Sequence, residues 1–116
     1  VEGAVTAAMK PSQALRMGRE TSMGRAIDCV ATGEASGVIS AGNTGALMAL
    51  AKLQLGMLPG IKRPAIASFL PTRSNECVML DLGANVDADA ETLVQFARMG
   101  HIFGKSVLGW DNPSLG

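Results

Sequence analysis

Residues 36–49 read "SGVISAGNTGALMA". Val38 and Ile39 form a short apolar centre, and Ser36–Ala41 reads as a buried strand around them. Gly42, Asn43, Thr44 and Gly45 follow at once, and then a run rich in Ala, Leu and Met. That run predicts a helix over Asn43–Leu55, ended by Gly56, Pro59 and Gly60. Asn43 is placed to cap it, and the amides of Thr44, Gly45 and Ala46 fall among the unpaired donors of a helix start. Gly42 and Gly45 carry no Cβ, so a ligand can approach the backbone there. Free amides and the helix dipole suit a phosphate. A tight strand–helix turn with a self-satisfied cap fits the same letters, and the pattern leaves both readings open. Established phosphate motifs are absent. Ala46 and Leu47 follow Gly45 where a P-loop needs Lys and Ser or Thr, and there is no GxGxxG.

Outward from this stretch, elements alternate. Pro11–Met17 predicts a short helical turn with Pro at its first position. Thr21 or Ser22 caps a second helix to about Thr32, with Met23, Ala26, Ile27 and Val30 at helical spacing and Gly33 as its stop. Pro64–Leu70 reads as a strand, Pro71–Glu76 as a turn and Cys77–Leu82 as a second buried strand. Gly83–Asp87 is a loop, and Asp87 or Asp89 starts a last helix to about Leu108. On that helix Leu93, Phe96, Ala97, Gly100, Gly104, Val107 and Leu108 share a face, which reads as core packing. This order implies an α/β layer structure. Its continuous apolar strands imply a mainly parallel sheet with helices on both faces. No repeat or linker appears, so residues 1–116 are taken as a single α/β segment.

Composition narrows the function. The chain has 10 Lys+Arg against 10 Asp+Glu, a formal charge of zero. A nucleic-acid module needs a basic footprint, so none is expected. Aromatic residues are 3% with no Tyr, so there is no stacking platform for single strands. Cys29 and Cys77 lack metal-ligand spacing and read as reduced core residues of a cytoplasmic protein, and His101 is the single His. No metal site is expected. Neither a signal peptide nor an apolar run of about 18 residues is visible.

The second polar stretch is "MLDLGANVDADAE", residues 79–91. Ligands of open α/β sheets bind beyond the carboxyl ends of strands. Asp81 ends an apolar strand and either faces a ligand or needs a buried partner. With Asn85 it makes the favoured site pair. Asp87 and Asp89 are read as helix caps, and Glu91 adds negative charge where the helix dipole favours it.

"SAGNTGALMALA", "LPGIKRPAIASFLPT" and "MLDLGANVD…LVQFARMG" together closely resemble the phosphate acyltransferases of the PlsX type, over about Pro11 to Gly116. The resemblance implies a doubly wound α/β fold similar to the isocitrate/isopropylmalate dehydrogenase type. It implies transfer of a fatty acyl group from acyl carrier protein to inorganic phosphate, giving acyl-phosphate for phospholipid synthesis. It also implies a cytoplasmic homodimer peripheral to the inner face of the cell membrane, and no cofactor. Ala88 stands where the family often has Cys. The family carries further elements before and after this segment, so the chain is expected to be an internal piece. Alone it is expected to self-associate without turnover. Phosphate is itself the nucleophile, so the protein must position it, stabilise the thioester oxyanion and exclude water. Gly42, Asn43, Thr44, Gly45 and Ala46 are the expected phosphate cradle. Asn85 is the expected oxyanion donor, and Asp81 is expected to orient a phosphate proton or a basic group. Lys52, Lys62, Arg63 and Arg73 are the expected docking residues for the acidic carrier protein. The alternatives are a phosphotransacetylase-like or dehydrogenase-related enzyme, and a non-catalytic dimerising fragment.

Overall fold

The computed structural model describes residues 3–73 and 75–116. Contacts gather the chain into two compact units, Val1–Pro59 and Gly60–Gly116.

The first unit is helical. It holds α1 (Pro11–Met17), a 3-10 turn (Gly18–Glu20), α2 (Ser22–Ala31) and α3 (Thr44–Leu55). Pro11 opens α1 at a position where its missing N–H costs nothing. Thr21, fully buried, joins the 3-10 turn to α2. Its hydroxyl accepts from the Gly24 amide at 2.9 Å and donates to the Gly18 carbonyl at 3.0 Å. Gly24 is needed there, because a Cβ would lie 2.4 Å from the Gly18 carbonyl oxygen and 2.9 Å from Arg19 Cα. Ala14, Met23, Ile27, Ala46 and Leu50 form the core, drawn from all three helices. Ile27 and Leu50 are wholly buried, each contributing about 1.5–3 kcal/mol.

The expected strand over Ser36–Ala41 does not form; residues 37–41 carry no regular structure. A strand needs a neighbour for its N–H and C=O groups. Among the described residues of this unit the one bridge is an isolated Gly3–Thr21 pair. Val38 packs on the helical core while Ile39 is fully exposed.

The second unit holds β1 (Ala67–Pro71), β2 (Glu76–Leu80) and α4 (Ala90–Ser106). The strands pair antiparallel, from Ala67 opposite Leu80 to Pro71 opposite Glu76. Thr72 closes the hairpin, its amide and hydroxyl both donating to the Asn75 carbonyl at 2.7 Å. The Leu80–Asp81 peptide is cis. Asp89 starts α4 by accepting from the Thr92 amide at 2.8 Å. Phe96 and Gly104 are buried on its inner face, while Leu93 and Val107 are more than half exposed. Gly100 faces β2, where a Cβ would make an ordinary contact of 3.5 Å with Leu80 Cδ1.

The α/β class therefore holds, with four helices and a two-stranded sheet among the described residues. The mainly parallel pairing is corrected for this segment. Four residues separate β1 from β2, and a parallel pair needs a crossover of about a dozen residues or more. Exposure also alternates along β1, so one of its faces is uncovered.

Candidate functional site

In the first unit the glycine turn is a strong cap. Asn43 precedes α3, and its Oδ1 accepts from the Ala46 amide at 2.9 Å. Its Nδ2 donates to the carbonyls of Ala7 and Met9, both at 2.9 Å. The two Nδ2 bonds thus hold the N-terminal segment onto the start of α3, while Oδ1 holds the helix's own first turn. The Gly42 amide donates to Ser40 Oγ at 3.2 Å. Of the five expected cradle residues, Thr44 and Gly45 keep amides at the helix start that bond to no described residue. Both glycines also have packing reasons. A Cβ at Gly45 would meet Pro11 Cγ at 3.0 Å, and one at Gly42 would meet Met23 Cε at 3.0 Å.

In the second unit Asp81 and Asn85 come together. Asp81 Oδ1 accepts from the Ile66 amide and Oδ2 from the Asn85 amide, each at 2.7 Å. Asn85 Nδ2 donates to the Pro64 carbonyl at 3.0 Å. Burial pushes the Asp81 carboxyl up, but the amides of Ile66 and Asn85, the Asn85 side chain and the Ala84 amide together outweigh it and hold it below the usual range. A lowered carboxyl is an anion at neutral pH and carries no proton to give. Its geometry is that of a clamp between the lead-in to β1 and the glycine loop. These bonds also explain why β1 starts at Ala67 and not at Pro64: the Pro64 carbonyl and the Ile66 amide face the loop.

Lys62 and Arg63 belong to the same assembly. Lys62 Nζ pairs with Glu91, and that hydrogen bond raises the lysine above its ordinary value. The Lys62 amide donates to Gln95 Oε1 at 2.8 Å. Arg63 Nη1 donates to the Asp87 carbonyl at 3.0 Å. Asp89 is held below the usual carboxylate range, first by its bonds to Thr92 and further by Lys62 and Arg63. The two cations therefore sit among Asp87, Asp89 and Glu91 and do not make a net basic patch. Lys52 is exposed on α3, and Arg73 is exposed in the hairpin turn.

Gln95 is the residue that pattern reading missed. It is buried, 7% exposed, between apolar Val94 and Phe96. Its one signal is a polar side chain one position from a core phenylalanine, flanked on the same helix by buried Thr92. A cleft of about 1020 Å³ lies in the same unit, lined by Val78, Leu80, Phe96, Ala97, Gly100 and the segment from Trp110 onward, and by none of the residues of this assembly. Among the described residues no cluster of His, Cys, Asp and Glu could hold a metal ion, and no helix is long and apolar enough to cross a membrane.

A family model described as "Fatty acid synthesis protein" matches residues 1–116. A phosphate acyltransferase of Rhodospirillum centenum is 62% identical over 113 residues, 97% of this chain and 32% of that protein. One of Paramagnetospirillum magneticum is 56% identical over 115 residues, 99% of this chain and 33% of that protein. One of Rhodospirillum rubrum is 57% identical over 113 residues, 97% of this chain and 32% of that protein. The chain thus spans about a third of the length of the curated relatives it matches.

Proposed function

This chain belongs to the fatty acid synthesis protein family, and from that membership we propose that it is part of a phosphate acyltransferase. The reaction is transfer of a fatty acyl group from acyl carrier protein to inorganic phosphate, giving acyl-phosphate for phospholipid synthesis. The observation that carries it is identity of 56–62% to phosphate acyltransferases across nearly all of the chain. We take residues 1–116 as one piece of a larger acyltransferase domain. Elements outside it complete a doubly wound, mainly parallel sheet of the isocitrate/isopropylmalate dehydrogenase type. The uncovered face of β1 and fully exposed Ile39 support that, since each is apolar surface that a larger domain would cover. The whole enzyme is read as a cytoplasmic homodimer, peripheral to the inner face of the cell membrane.

A phosphate oxygen attacks the thioester carbonyl carbon. A C–O bond forms, the carbonyl oxygen takes negative charge, and the C–S bond breaks as the carrier thiol leaves with a proton. No protein nucleophile is needed. The amides of Thr44 and Gly45, which bond to no described residue, support phosphate binding at the start of α3, with Gly42, Asn43 and Ala46 shaping the turn. The Asn85 side-chain amide bonds to the Pro64 carbonyl and also helps to lower Asp81; we assign it to the developing oxyanion, taken in exchange for the Asp81 contact. Asp81 fixes the loop that presents it. Of Lys52, Lys62, Arg63 and Arg73, we assign carrier-protein docking in the second unit chiefly to Arg73, because Lys62 and Arg63 are already bonded within α4's first turns and the loop before it.

The test is acyl-phosphate formation by the full-length protein from acyl-acyl carrier protein and phosphate. Coenzyme A thioester and nicotinamide dinucleotide serve as competing substrates. Acyl-phosphate from the carrier thioester alone supports the proposal, while turnover only with coenzyme A or a dinucleotide refutes it. Asn85→Ala is expected to lower kcat by about 10²–10³, the usual effect of losing one oxyanion donor.

A further inference from the structure

Lys62, Arg63, Pro64 and Ile66 each bond to a polar group of the loop at 81–87 or of α4. At one end the Ile66 amide is held by Asp81. At the other the Lys62 amide is held by Gln95, 33 residues away in sequence. Between them the Pro64 carbonyl accepts from Asn85 Nδ2. A buried amide side chain is costly unless it is bonded. Gln95 places its short bond, 2.8 Å, on this segment, whereas its contact with Glu91 on its own helix is a long 3.4 Å. The segment is stiff. Pro64 has a fixed φ and no N–H, and Arg63 before it is confined to extended backbone. A shift at Lys62 is therefore carried to the Pro64 carbonyl, and from there to the Asn85 side chain. Two further ties at that end are exposed, the Lys62–Glu91 ion pair and the Arg63 bond to the Asp87 carbonyl.

We propose that Gln95 is a positioning residue for Asn85, acting through the Lys62 amide and the Pro64 carbonyl. The inference rests on the acyltransferase reading for its kinetic arm alone. Gln95 touches no reacting atom; it sets where the Asn85 donor stands. Its residue type matters because an acceptor at that reach is required. Methionine has a similar shape and no such oxygen, asparagine is too short by one methylene, and glutamate keeps an acceptor oxygen at the same distance.

The experiment uses the full-length protein with Gln95→Met, Gln95→Asn and Gln95→Glu. Hydrogen exchange is followed over peptides covering residues 60–68 and 81–87, beside steady-state kinetics with acyl-acyl carrier protein and phosphate. Gln95→Met is expected to speed exchange in both peptides and to lower kcat about tenfold, equivalent to ~1.4 kcal/mol in the transition state. The phosphate KM is expected to stay within about twofold, because binding at α3 is untouched. Gln95→Glu keeps the acceptor for the Lys62 amide but replaces the donor to Glu91 by a second carboxylate oxygen, so it is expected to restore part of the exchange protection and of kcat relative to Gln95→Met. A wild-type kcat in Gln95→Met overturns the inference, as does unchanged exchange at 81–87. If Gln95→Met does not fold, Gln95→Asn decides in the same way. Absence of acyl-phosphate from the wild-type protein refutes the acyltransferase reading instead, and exchange at 81–87 in the variants then judges the tether by itself.

Discussion

Replacing Asp81 with asparagine separates a loop clamp from a proton carrier. In the wild type each carboxylate oxygen accepts one backbone amide at 2.7 Å, from Ile66 and from Asn85. Asparagine keeps one acceptor oxygen and turns an NH2 toward the other amide, so one charge-assisted bond is lost and a donor faces a donor. Hydrogen bonds to charged groups contribute about 1.5–3 kcal/mol, and Asp81 is only half-buried, so a loss of about 2 kcal/mol is expected at pH 7. The assay is urea unfolding of the full-length protein and its Asp81→Asn variant from pH 7 to pH 3. The folded carboxyl is depressed, so its contribution is fully present above the unfolded value of about 3.9 and is lost as pH falls through the lower folded value. The gap between the two proteins should be flat from pH 7 to about 4 and close below that. A gap that already closes between about pH 7 and 5 would mean a raised carboxyl, as a general acid needs, and would refute the clamp. So would an unfolding midpoint at pH 7 equal to that of the wild type.

Thr44→Pro removes the first amide of α3 at a position where proline is tolerated, and Thr44→Ala removes only the hydroxyl. If the α3 start binds phosphate, Thr44→Pro raises the phosphate KM well above that of Thr44→Ala; equal values in both remove the amide from binding. Gly24→Ala forces a Cβ to 2.4 Å from the Gly18 carbonyl oxygen; overpacking of this kind costs ~1–3 kcal/mol, and a lowered melting temperature checks it. Arg73→Glu is expected to raise KM for acyl carrier protein, by an amount that shrinks with added salt, and to leave the melting temperature unchanged. Reversing Lys62 and Arg63 together is expected to lower the melting temperature as well, since it sets two new anions beside Asp87, Asp89 and Glu91.

Local chemistry made the helices legible. Thr21, Asn43 and Asp89 each hold the first turn of a helix through one side-chain oxygen, and that signal lies within four residues of sequence. Strands lack such a local signature. "SGVISA" has the letters of a buried strand, yet its state depends on whether another strand pairs with it, and among the described residues of its unit none does. The hairpin was open to a stricter reading. With four residues between Pro71 and Glu76 no crossover fits, so the parallel pairing was excluded by length alone.

The candidate site was half legible for a related reason. Asp81 and Asn85 stood out because polar side chains at a strand end and in a glycine loop need partners, and those partners are backbone groups 4 to 21 residues away. Letters alone do not name a backbone group as a partner. The same two residues therefore read as chemistry when the bonds they make in the structure hold the chain. Gln95 is the reverse case. It sits inside an apolar helical run where a polar letter reads as noise, and its partner is again a main-chain amide. A carbonyl or amide held by side chains from two distant segments is a strong constraint on geometry and leaves little trace in composition or spacing. Asn85 donates from Nδ2 to the Pro64 carbonyl and its side chain also helps to lower the Asp81 carboxyl, so the oxyanion role proposed for it requires the Asp81 contact to be exchanged for the substrate.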